Sequence, residues 1–148
     1  MYATALPFSS PAARHALGGL YQQVRVESKV AAASAHELVA MLFDGYAEAL
    51  AQARGALRGQ RHEAKCAAIT RAVRILEEGL RAGLDLRAGG TLARDLDDLY
   101  AYLSMRLTLA NLRNDEAALE ECQRLMRPLH EAWLAIADEA ETLGRRSA

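Results

Sequence analysis

Four histidines, His15, His36, His62 and His130, are the side chains best suited to proton transfer, phosphoryl transfer or metal binding, and their neighbours limit what they can do. A di-metal site inside a helical bundle needs Glu-x-x-His pairs on facing helices, and none of these histidines has a Glu three residues before it. His62-Glu-Ala-Lys65 repeats the His-x-x-Lys spacing of phosphotransfer signalling bundles. Cys66, however, stands where such domains have the Gly that lets a kinase approach, and His62 falls at a helix start rather than mid-helix. The pattern points away from an enzyme and calls for no cofactor or metal. A histidine phosphotransfer-like bundle and a generic helical adaptor are the alternatives to the reading developed below.

Cys66 and Cys122 fall on the apolar sides of expected helices, outside any CxxC spacing, and read as core thiols in a reducing cytoplasm. Arg54, Arg58, Arg61 and Lys65 straddle a turn at Gly59 and read as a solvated basic face. Asp44, beside apolar stripes, suits a surface or capping role, and Asn111 suits hydrogen bonds to the backbone of the last loop. Tyr100 and Tyr102 lie about 200° apart on a helix, so at most one belongs in the core.

The chain has 148 residues, with 18 Lys plus Arg against 19 Asp plus Glu and a formal net charge of −1, so no overall field favours nucleic acid or an anionic membrane. Abundant Ala and Leu, three prolines and 5% aromatics indicate an all-α protein. No run approaches the ~18 apolar residues of a membrane span. Pro7, Ser9, Ser10 and Pro11 interrupt any signal-peptide core, so the expected location is the cytoplasm.

These residues need elements to hold them, and periodicity supplies four. Residues 1–14 read as a flexible arm and 15–32 as a short docked helix, with Leu17, Leu20, Tyr21 and Val24 three or four apart. Ser34-Ala-His-Glu37 is a capping box that opens a helix to about Arg58, with Gly59 expected in the left-handed conformation after it. Further helices are expected over His62 to Leu86, Thr91 to Leu112, and from Glu116 onward, the last kinked near Pro128. Short loops force antiparallel neighbours, so 34–143 reads as an antiparallel up-down four-helix bundle within one domain over 1–148.

The helices carry more apolar surface than one seam requires. In the first, Val39, Phe43, Tyr46, Leu50, Ala53 and Leu57 form one stripe, and Leu38, Leu42, Gly45, Ala49 and Ala56 a second about 100° away. In the third, Leu92, Leu96, Leu99 and Leu103 are joined in the second half by Tyr102, Met105, Leu109 and Leu112. A surplus of this kind must meet another part of the chain or another molecule, a second copy included. Phe43 and Tyr46 are expected to face outward to such a partner, and Leu42 inward.

Tyr21-Gln-Gln-Val24, Ser34-Ala-His-Glu-Leu38 and Met41-Leu-Phe-Asp-Gly45 resemble motifs of the FliS family of flagellar export chaperones. Leu84-Asp85, Gly89-Gly90, Leu96, Leu99-Tyr100-Ala-Tyr102, Arg106-Leu107, Ala110-Asn111, Asn114-Asp115 and Ala132-Trp133 follow the same order and spacing, so the resemblance covers about residues 20–136. Ala35, Phe43, Thr91, Asp95, Pro128 and a longer stretch before Tyr21 depart from it. The resemblance implies a chaperone that binds the disordered C-terminal segment of flagellin, prevents premature polymerisation and delivers it to the flagellar export apparatus. On that basis Tyr21, Val24, Val39, Phe43, Tyr46, Leu50, Leu99, Tyr102, Leu103 and Asn111 are the candidate partner-binding residues.

Overall fold

The computed structural model describes residues 32–146. The expected arm over 1–14 and all of the expected docked helix but its last residue lie outside the described residues. Helix α1 spans Ala32–Arg58 and α2 spans His62–Arg74, continuing directly into a π-helical segment, Ile75–Arg81. Helix α3 spans Gly90–Arg113 and α4 spans Glu116–Arg146; no strand occurs among the described residues.

Side-chain pairings fix how the helices run. Tyr46 meets Cys122 and Arg54 meets Glu116, so α1 and α4 are antiparallel. Gly45 faces Ile75 and Gly79 faces Leu42, which sets α1 against α2 in the same sense. Lys65 meets Asn111 while Arg81 meets Asp97, so α2 and α3 are antiparallel too. One continuous apolar core fills the space between the helices, with Phe43, Tyr46, Leu50, Ile69, Leu76, Tyr100, Leu103 and Trp133 among its buried members.

The second helix departs from the expected α-helix because of its spacing. Ala72, Leu76, Leu80 and Leu84 are buried at a constant interval of four. An α-helix drifts roughly 40° at each four-residue step, and the wider i→i+5 turn of a π-helix absorbs that drift. The helix then closes at Arg81, short of the expected Leu86, in a turn where Asp85 Oδ1 accepts from the amides of Arg87 (3.2 Å) and Ala88 (3.0 Å).

The ends of the helices show which local signals mattered. Helix α1 already includes Ala32, the first described residue, upstream of the expected Ser34 start, and the Ser34 side chain lies outside what is described. At its far end Gln60, not Gly59, takes the left-handed conformation, with φ of 55°. The amides of Gln60 and Arg61 close back on the carbonyls of Leu57 and Ala56, which satisfies the last turn. Asn114 ends α3 in the same conformation, and Asp115 Oδ1 accepts from the Ala118 amide (3.2 Å) to cap α4. Helix α4 runs unbroken through Pro128.

Helices α1 and the π segment pack closely because glycine lets them. A Cβ on Gly79 would stand 2.8 Å from Leu42 Cδ2. Gly79→Ala is therefore expected to lower stability, since overpacking costs about 1–3 kcal/mol and the gain in helix propensity returns at most ~1 kcal/mol. Adding Leu42→Ala should recover part of that loss in denaturation midpoints.

Lys65 corrects the reading of a solvated basic face. Among the described residues it is the buried charged one, and its Nζ donates to the Asn111 carbonyl (2.9 Å) and to Asn114 Oδ1. Both acceptors sit at the C-terminal end of α3, where exposed carbonyls and the helix dipole favour a cation. Arg54 and Arg58 are committed as well, both to Glu116 at the start of α4.

Candidate functional site

The expected partner-binding residues separate into four groups. Val39, Phe43, Tyr46, Leu50 and Leu103 are buried in the bundle, Leu99 and Asn111 are half-buried, and Tyr102 is exposed. Tyr21 and Val24 lie outside the described residues.

The expected outward placement of Phe43 and Tyr46 is overturned: both are buried, as are Ala49 and Ala56 of the second stripe, while Leu42 packs half-buried against the core. Phe43 stacks on His130 with ring centroids 5.8 Å apart and tilts against Trp133 at 6.2 Å. Tyr46 donates its hydroxyl to the Cys122 carbonyl (3.0 Å), and burial, with a smaller contribution from Cys122, pushes that hydroxyl far above its ordinary range. Leu42 is only half-buried, while Leu38 and Met41 are exposed. The four-three stripe containing both aromatics fills the centre because aromatic side chains bury the most area and Tyr46 finds a carbonyl for its polar end.

The outer face of α3 is where an apolar row stands open. Tyr102, Met105 and Leu112 are exposed, Leu112 by 78%, and Leu109 between them is half-buried. Their three-four-three spacing is that of a helix seam, yet no described element covers it. The sequence showed this row as the second stripe of the third helix. Of its members only Tyr102 is among the candidate partner-binding residues; Met105, Leu109 and Leu112 are not.

Polar groups frame the row on the α4 side. Glu121 accepts from the Tyr102 hydroxyl through Oε2 (2.7 Å) and from Arg106 Nε through Oε1 (2.7 Å). The hydrogen bond from Tyr102 holds the Glu121 carboxyl below its ordinary value; burial opposes that shift and Arg106 reinforces it. A carboxyl lowered in the folded state contributes stability that is present above the unfolded value and lost as pH falls through the folded one. The stability gap between wild type and Glu121→Gln is therefore expected to be constant near neutral pH and to close below the reference value of 4.5 in acid titrations of unfolding.

Other residues that could do chemistry have structural partners. His62 Nε2 lies 3.6 Å from Cys66 Sγ, which also contacts Asn111 Oδ1 at 3.3 Å; Cys66 is half-buried rather than in the core as expected. Cys122 is buried, and burial followed by the nearby Glu121 charge pushes its thiol up to about 12. Tyr100 is the core tyrosine of its pair. Asp44 pairs with His130 Nε2 at 2.7 Å, linking α1 to α4. Among the described residues no group of three or more His, Cys, Asp or Glu is arranged to hold a metal, and no helix is long and apolar enough to cross a membrane.

Comparison with known proteins places this arrangement among chaperones. Residues 18–140 match the family model described as flagellar protein FliS. The chain is 47% identical over 120 residues to the flagellar secretion chaperone FliS of Salmonella typhimurium, covering 81% of this chain and 89% of that protein. It is 42% identical to the Escherichia coli protein of the same name, covering 76% and 83%. Against the flagellar secretion chaperone FliSB of Pseudomonas aeruginosa the identity is 41%, over 78% of this chain and 91% of that protein.

Proposed function

Because the chain belongs to the FliS family, we propose that it is a flagellar secretion chaperone that holds the C-terminal segment of flagellin along the outer face of α3. Held there, the segment is unable to polymerise and is presented to the export apparatus. The observation that carries this reading is the open row Tyr102, Met105, Leu109 and Leu112, which offers a client helix a ready seam. A client that is disordered before binding gains helix as it covers the row. In this reading the protein works in the cytoplasm before export.

Calorimetry with circular dichroism tests the mechanism. Titrating a synthetic peptide of the C-terminal flagellin segment into the full chain should give one-to-one binding, added helical signal, and a negative heat-capacity change matching burial of ~1,000–3,000 Å². A bound peptide that stays unstructured would sink it.

A further inference from the structure

We propose that Glu121 is the positioning residue of the client-binding face, fixing Tyr102 in one orientation so that its ring is ready to receive a client helix. This inference rests on the reading that the client seats on the outer face of α3.

Tyr102 and Arg106 stand one turn apart on α3, and both reach across to a single carboxylate on α4. The carboxylate divides its oxygens between them, Oε2 for the hydroxyl and Oε1 for the guanidinium, each at 2.7 Å. Side-chain exposures of 27% for Arg106 and 24% for Glu121 put the pair at the seam between the helices, where a charge-assisted hydrogen bond is less weakened by water than on an open surface. The hydroxyl of Tyr102 is held by this carboxylate from the exposed side of the seam, and the residue as a whole remains 39% exposed, three positions before Met105.

An unanchored tyrosine on a helix surface samples several rotamers and must give them up when a partner lands. Ordering such a side chain costs about 0.5–1.5 kcal/mol, which corresponds to roughly two- to tenfold in affinity. Glu121 removes that cost before the client arrives. The anchoring also sets what chemistry Tyr102 offers. Its proton is committed to Glu121, so towards the client the oxygen presents only lone pairs. The matching client position is accordingly apolar or a hydrogen-bond donor, and a client carboxylate at that point is rejected.

The test is a cycle of variants in the full chain, with the affinity of the synthetic C-terminal flagellin peptide read by calorimetry. Glu121→Ala and Tyr102→Phe are each expected to weaken binding about two- to tenfold, and the double variant no further than either alone. Glu121→Gln, which still accepts from the hydroxyl, should bind close to wild type, a rescue that a purely electrostatic role for Glu121 would not give. Unchanged affinity in Tyr102→Phe, whose exposed side chain leaves folding intact, overturns the proposal, as does additive loss in the double variant. If Glu121→Ala binds normally while Tyr102→Ala binds weakly, the anchoring is incidental and the client face stands. If Tyr102→Ala and Met105→Ala both bind normally, the client lies elsewhere and both conclusions fall.

Discussion

Phe43→Ala and Tyr46→Ala are each expected to lower folding stability by about 3–5 kcal/mol, the loss that follows when a fully buried aromatic leaves a cavity. Neither side chain has a solvent face into which the bundle can relax. Phe43 lies between His130 and Trp133, and Tyr46 is enclosed between α1 and α4 with its hydroxyl on the Cys122 carbonyl. Tyr46→Phe keeps the ring and should cost only about 0.5–1.5 kcal/mol, the net value of one hydrogen bond. Leu42→Ala, at a half-buried position against Gly79, should cost less than either aromatic truncation. Urea midpoints at unchanged m-values report these differences directly.

How much of this was legible in the sequence depends on the kind of signal. The four bundle helices and their antiparallel order follow from apolar periodicity and from the turn residues near Gly59, Gly89-Gly90 and Asn114, and the described residues agree with them. The π segment left a trace in the four-residue spacing of Ala72, Leu76, Leu80 and Leu84, but a single slow drift is hard to separate from an ordinary wide apolar face. Lys65 was misread because a cation on a helix is usually solvated, and only the placement of Asn111 and Asn114 over it makes burial tolerable. Which large side chains of α1 fill the centre was not legible at all. Both stripes are apolar, and Phe43 and Tyr46 are seated by His130, Trp133 and Cys122 on α4, almost eighty residues or more away in sequence.

Met105→Asp and Leu112→Asp are expected to weaken flagellin binding by at least about thirtyfold, since a charge in the middle of an apolar contact removes an anchor worth ~2 kcal/mol or more. Folding should be almost unaffected. Both side chains are exposed in the free bundle, and surface substitutions of that kind usually stay within about 0.5 kcal/mol. Leu38→Asp on α1 serves as the comparison, because it is exposed and apolar but lies on a different helix from the proposed seam. Affinity and denaturation midpoint measured on the same preparations separate loss of the client face from loss of the fold.

The methionines report on the central claim most directly, because they sample different surfaces. Met105 is exposed on the α3 row, Met41 is exposed on α1 and Met126 is buried in the core. Methyl-labelled protein titrated with the flagellin peptide should show a large shift at Met105 while Met41 and Met126 stay in place. A shift confined to Met41, with Met105 unmoved at saturation, would contradict the assignment of the client to the outer face of α3.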